Sequence, residues 1–177
     1  MSGRHNITNA LAAAAVGLNF GISLAQVKAA LENFEINPAL KRMAVYEQQG
    51  VIIINDTYNA NPESMRSGLQ TLKSMQHSGK KIAVLGDMLE LGALSESEHT
   101  LLGEFISQLE LDVLFVYGEA MKATLNAARV PAKQHFESKA QLAESLKELL
   151  QPGDAVLFKG SRAMKMEEVI EMMQANR

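Results

Sequence analysis

The sequence predicts an α/β fold: a doubly wound, mostly parallel sheet of about six strands, preceded by two helices. Three observations lead there. From Met43 onward, short β-branched or apolar runs alternate with segments whose apolar residues recur at helical spacing. The stretches between successive runs are long enough to cross over and return in parallel, and they carry the helices that would cover both faces. The residues before Pro38 break that rhythm and read as helix only.

Asn6 to about Leu18 is alanine-rich and reads as a helix. Ser23 to Phe34 reads as a second, with Ser23 as its cap and Leu24, Val27, Leu31 and Phe34 at helical spacing. Glu35 to Lys41, which contains Pro38, is the linker. Met43 to Gln48 and Val51 to Asn55 form a hairpin about Gln49-Gly50. A helix over Pro62 to Gln76 starts on its proline and turns Met65, Leu69 and Leu72 inward. Lys81 to Leu85 is a strand. The helix Ser95 to Leu109 opens on a capping box of Ser95 and Glu98. Then come a strand at Val113 to Tyr117, a helix from about Glu119 to Ala128 and a short strand at Gln134 to Phe136. A helix at Ser138 to Leu150, a strand at Ala155 to Lys159 and a closing helix at Met164 to Ala175 follow. The expected organisation is two-part: residues 1–37 belong to a preceding domain, and residues 38–177 form a Rossmann-like domain.

Composition narrows the function classes. At 47% hydrophobic and 21% charged residues, the chain has the balance of a soluble globular protein. A net charge of -3 supplies no electrostatic footprint for nucleic acid or an anionic membrane. No apolar run approaches the length of a membrane span, and the amino terminus has no signal-peptide pattern. Cysteine is absent, which excludes disulfides and thiolate metal sites and fits the cytoplasm. The ten methionines read as core filler.

The residues that can carry chemistry gather at expected strand ends. Val51-Ile52-Ile53-Ile54 runs into Asp56-Thr57-Tyr58-Asn59-Ala60-Asn61-Pro62, so an acid and amides stand at the carboxyl end of a buried strand, where open α/β sheets bind ligands. There Asp56 has the chemistry to accept the hydroxyls of a ribose; the alternative is an Asx-turn residue with no ligand. Asn6 and Asn9, three apart, share a helix face and offer the donor and acceptor pairs that an adenine edge needs; a helix cap is the plainer alternative. Arg42, at the linker, has the chemistry to close over a phosphate. Asp87 and Glu90 lie in the loop Gly86-Asp87-Met88-Leu89-Glu90-Leu91-Gly92, whose charge suits an amino group or a metal rather than a phosphate. Lys159-Gly160-Ser161-Arg162 ends the last strand with two cations and a hydroxyl, a set suited to a carboxylate or to a simple turn. His99 reads as a surface residue of its helix.

Taken in order, Gly3-x-His5-Asn6-x-x-Asn9, Arg42, Asp56-x-Tyr58-Asn59-Ala60-Asn61, Gly86-Asp87-Met88-x-Glu90-Leu91-Gly92 and Lys159-Gly160-Ser161-Arg162 resemble the Mur ligase family, and within it the MurF type. The resemblance runs from Gly3 to about Glu168. It implies that residues 1–37 are the tail of a central ATPase domain. It implies that Asn6 and Asn9 hold the nucleotide base, that Arg42 meets the γ-phosphate of ATP as the catalytic residue, and that Asp56 takes the ribose with Tyr58 near the adenine. Relatives often have glycine before the arginine, where this chain has Lys41. The acceptor side would be formed by Asn59, Asn61, Asp87, Glu90, Lys159, Ser161 and Arg162.

The function so implied is ATP-dependent amide-bond formation, in which D-alanyl-D-alanine is added through an acyl phosphate to a UDP-muramoyl-tripeptide. The P-loop, the acidic ligand of Mg2+ and the modified lysine that such catalysis needs belong to the central domain, and no G-x-x-G-K-[ST] occurs in this sequence. The expectation is therefore a chain inactive alone, with no metal ligands of its own. Its partners would be the amino-terminal and central domains of the same enzyme. Two other readings stay open: a folylpolyglutamate- or cyanophycin-synthetase-like ligase with another acceptor, and a non-catalytic Rossmann-like binding module.

Overall fold

The computed structural model describes residues 4–34 and 42–175, with Arg4 to Asn6 described by backbone only. Gly3, the side chains of His5 and Asn6, and the linker expected at Glu35 to Lys41 lie outside the described residues. Packing divides the chain into two compact units, Met1–Leu40 and Lys41–Arg177.

The first unit is a helix pair. Helix α1 (Arg4–Asn19) leads through Gly21 into α2 (Leu24–Glu32), where Ser23 and Gln26 cap each other reciprocally. Gly17 brings the helices together: a Cβ there would stand 3.4 Å from Val27. Val27 is the only apolar side chain that this unit buries among the described residues, while Leu11, Leu24 and Phe20 (80% exposed) face outward. Two helices this short bury too little apolar surface to stand as a domain.

The second unit is a six-stranded sheet in the order β1-β2-β6-β3-β4-β5. Its strands are β1 (Ala44–Gln48), β2 (Val51–Asp56), β3 (Lys81–Gly86), β4 (Val113–Tyr117), β5 (Ala132–Phe136) and β6 (Ala155–Lys159). Only the hairpin pair β1–β2 is antiparallel. Its two-residue turn places Gln49 at φ 52 and Gly50 at φ 78, the left-handed pair that suits the twist of the strands. The helices are α3 (Pro62–Ser74), α4 (Ser95–Ile106), α5 (Met121–Ala127), α6 (Lys139–Leu149) and α7 (Glu167–Gln174). Side chains that alternate along the strands feed two cores. Ile54, Leu85, Leu114 and Leu157 pack with Met65, Leu69, Leu102 and Met121, and Ile53, Val84, Phe115 and Phe158 with Leu142, Leu146, Val169 and Ile170. A doubly wound, mostly parallel sheet was legible in the sequence.

Three local expectations are corrected. Ser95 does not cap α4. The chain enters that helix through a 3-10 turn at Gly92–Leu94, so Ser95 is already helical at φ -56, and Glu98 turns to Arg66 at 3.7 Å. The closing helix is split, with a 3-10 turn at Arg162–Met164 and Lys165 at φ 47 before α7 begins. His99 is not on the surface but fully buried. Several ends also moved: α3 stops at Ser74 rather than Gln76, α4 at Ile106 rather than Leu109, α5 starts at Met121 rather than near Glu119, and β5 gains Ala132 and Lys133.

The strand order sets the site. From β2 the chain passes through α3 to β3 and leaves a gap that β6 fills last. The carboxyl ends of β2, β6 and β3 therefore stand side by side, and they carry 56–61, 159–162 and 86–92.

Candidate functional site at the strand ends

Asp56 and Lys159 are register partners on adjacent parallel strands. The Lys159 ammonium donates to Asp56 Oδ2 at 2.6 Å and to the Asn59 carbonyl at 2.9 Å. The other carboxylate oxygen, Asp56 Oδ1, accepts the Met43 N–H at 3.0 Å. Both side chains are withdrawn from water, with Lys159 2% and Asp56 7% exposed. Burial pulls the Lys159 pKa below the usual lysine value; the Asp56 carboxylate opposes that pull and the Arg42 charge adds to it. Lys159 is thus turned inward, toward Asp56.

Arg42 lies next to Met43, with its guanidinium carbon 4.0 Å from the centroid of the Tyr58 ring. An exposed stacking contact of this kind is worth only about 0.5–1 kcal/mol, so a phosphate could displace it readily. Tyr58 itself is 37% exposed. The expected nucleotide residues Arg42, Asp56 and Tyr58 therefore converge: Met43, next to Arg42, donates to the buried Asp56 carboxylate, and the Arg42 cation stacks on the accessible ring of Tyr58.

The turn between them is built from its own amides. Asn55 Oδ1 accepts from the Thr57 hydroxyl at 2.8 Å and from its N–H at 3.3 Å. Asn61 caps α3: its Oδ1 accepts the Ser64 N–H at 2.8 Å, and Ser64 Oγ accepts the Asn61 N–H at 3.0 Å. Asn59 is exposed, and its Oδ1 accepts the Arg162 N–H at 3.4 Å.

The 86–92 loop is tied down at three consecutive residues. Asp87 Oδ1 accepts the Met121 N–H at 2.8 Å and Oδ2 the Ala120 N–H at 3.4 Å, so this carboxylate caps α5. The Met88 N–H donates to His99 Nε2 at 3.1 Å, while His99 Nδ1 lies 2.7 Å from the Ser95 carbonyl. That pattern requires a neutral ring protonated on Nδ1. The Leu89 N–H donates to Ser161 Oγ at 2.8 Å, and the Ser161 N–H to the Asp87 carbonyl at 3.0 Å. Glu90, exposed and at φ 66, is left at the tip. Arg162 pairs with Glu167 at 2.7 Å while half its side chain stays in water.

Asn9 is exposed on α1, within the first unit. Among the described residues no three His, Cys, Asp or Glu side chains come together to hold a metal. Sequence reasoning singled out Asp56 and Lys159 but missed that they pair. It missed Met43 and misjudged His99, whose partner is a backbone amide.

Residues 41–162 match the family model described as Mur ligase, glutamate ligase domain. The chain is 38% identical to the UDP-N-acetylmuramoyl-tripeptide--D-alanyl-D-alanine ligase of Bacillus subtilis (strain 168), over 96% of this chain and 38% of that protein. A crystal structure of MurF from Acinetobacter baumannii superposes with a TM-score of 0.85 at 34% identity, covering 98% of this chain and 38% of that one. The MurF ligase from Thermotoga maritima in complex with ADP superposes with a TM-score of 0.71 at 32% identity, over 90% of this chain and 35% of that one. The chain spans less than two fifths of the length of these relatives. No described helix is long and apolar enough to cross a membrane. With its sheet, its strand-end residues and the match over 41–162, the chain belongs to the Mur ligase family.

Proposed function

We propose that this chain is the carboxyl-terminal part of an ATP-dependent ligase that joins D-alanyl-D-alanine to UDP-N-acetylmuramoyl-tripeptide in the cytoplasm, during peptidoglycan precursor synthesis. The observation that carries the reading is the convergence of Arg42, Asp56 and Tyr58 at the ends of β2 and β6 in a chain so similar to ligases of that name. Residues 1–37 are then the tail of the central ATP-binding domain, and 38–177 close over the nucleotide. The division of the chain near residue 40 and the start of the family match at 41 support this assignment.

Each residue has a task in this reading. Asn6 and Asn9 bind the adenine edge, and Tyr58 packs beside the base. Asp56 keeps one unused lone pair on each oxygen after accepting Met43 and Lys159, and these receive the two ribose hydroxyls. Arg42 leaves the Tyr58 ring for the γ-phosphate and stabilises charge as the phosphoryl group moves to the peptide carboxylate. The dipeptide is a zwitterion at neutral pH. Glu90 meets its ammonium, Arg162 its carboxylate, and Asn59 lies between them. Asn61, Asp87, Lys159 and Ser161 serve this acceptor side by holding the three loops in register. The dipeptide ammonium first gives up a proton to water, and the free amine attacks the acyl phosphate: the C–N bond forms, the C–O bond to phosphate breaks, nitrogen releases its second proton to solvent, and inorganic phosphate leaves. Mg2+, which would neutralise phosphate charge, is left in this reading to the central domain.

The test is phosphate release from ATP by the complete ligase with UDP-muramoyl-tripeptide, with and without D-Ala-D-Ala. Release that requires the dipeptide is expected, with none from the 177-residue chain alone, which has no P-loop. Release indifferent to the dipeptide, but dependent on another amino acid, would contradict the assignment of acceptor.

A further inference from the structure

We propose that Lys159 is a positioning residue for the nucleotide: its buried ammonium clasps Asp56 so that the carboxylate stays oriented toward the ribose, and Gly68 leaves the space in which the clasp fits. The inference rests on the proposed role of Asp56 in binding ATP and adds a residue and a cause to it.

The geometry has four parts. Asp56 is gripped from two sides, by Met43 N–H on Oδ1 and by Lys159 on Oδ2, which fixes the plane of the carboxylate. Lys159 is itself fixed by a second bond to the Asn59 carbonyl, so one ammonium ties β6, the end of β2 and the 56–59 turn together. Nearly complete burial of Lys159 excludes it from direct contact with a solvent-borne ligand and leaves it to act through Asp56.

The fourth part is the helix that crosses the pair. Gly68 lies inside α3, where glycine costs about 1 kcal/mol relative to alanine. A Cβ there would stand 3.3 Å from Lys159 Cδ and 3.7 Å from Asp56 Oδ2. The helix thus runs close over the clasp, at a point where a side chain would crowd the Lys159 stem and touch the Asp56 carboxylate.

The clasp also accounts for the position of Arg42. With Asp56 already neutralised by Lys159, the guanidinium rests on Tyr58 instead of collapsing onto the carboxylate, and its charge stays available to a phosphate.

The experiment is a double-mutant cycle in the complete ligase, with the KM for ATP and kcat measured for Asp56→Asn, Lys159→Met and the double variant. Each single change is expected to raise the KM for ATP about tenfold or more, in line with the loss of a charged hydrogen bond. In both, kcat should fall far less than the KM rises. In its KM for ATP the double variant should be no worse than the worse single, because Lys159 acts on the nucleotide only through Asp56, while its bond to the Asn59 carbonyl bears on the acceptor side. A KM in the double variant equal to the product of the single effects would overturn the proposal, as would a Lys159→Met enzyme with an unchanged KM. Should Lys159→Met fail to fold with an unpaired buried carboxylate, the double variant, neutral at both positions, is compared with Asp56→Asn alone. Equality then supports the clasp and a further rise overturns it. An Asp56→Asn enzyme with an unchanged KM would overturn the ATP reading itself, and dipeptide-dependent phosphate release would tell that outcome apart from loss of the enzyme.

Discussion

Asp56→Ala is expected to destabilise the chain by about 3–5 kcal/mol, the usual cost of removing one partner from a buried ion pair. The sum has two parts. Lys159 is left 2% exposed with a carbonyl as its described partner, so it either stays charged without a counter-ion or gives up its proton. Met43 N–H also loses its acceptor, which loosens the start of β1 from the end of β2. Urea unfolding of the 177-residue chain measures the first effect. In the complete ligase the same change should raise the KM for ATP, since the proposed ribose contact goes with the carboxylate. A variant as stable as the parent would mean that the pair contributes nothing to the fold.

Arg42→Ala is expected to behave in the opposite way. Arg42 is exposed, and among the described residues it rests on the face of Tyr58, so the unfolding free energy should stay within about 0.5 kcal/mol of the parent. Its proposed work is done on the phosphoryl group in transfer, where arginines that neutralise developing charge contribute roughly 10³-fold or more to kcat. Steady-state turnover of the complete ligase should therefore fall by about that factor while the protein remains folded. Arg42→Lys should recover little, because an ammonium lacks the planar fork that grips two phosphate oxygens. Turnover retained in Arg42→Ala would remove this residue from the catalytic step and leave it as a lid on Tyr58.

The two variants separate what the sequence could and could not say. β2 was legible because Val51 to Ile54 are β-branched and apolar, and its end was marked by Asp56 and the turn residues after it. The start of α3 was legible in Pro62, although the role of Asn61 as its cap was not. What the sequence hid was mostly contact across distance. Asp56 and Lys159 lie 103 residues apart and meet only because β6 lies beside β2 in the sheet, although three other strands separate them in the chain. The burial of His99 was hidden for a related reason: it satisfies the Met88 amide, and a backbone donor leaves no mark in a sequence. Ser95 misled because its spacing to Glu98 is that of a capping box, whereas a 3-10 turn before it had already made it helical. The candidate residues were chosen from their types and order. How they are held in place came from the topology.

That same topology offers a direct test of the central claim, that the ends of β2 and β6 receive the nucleotide. The measurement is a crystal structure of the complete ligase with a non-hydrolysable ATP analogue. The account predicts both ribose hydroxyls on the Asp56 carboxylate, the Lys159 and Met43 bonds to that carboxylate retained, and Arg42 moved from Tyr58 to the terminal phosphate. A ribose bound away from Asp56, with Arg42 still on the Tyr58 ring, would contradict it.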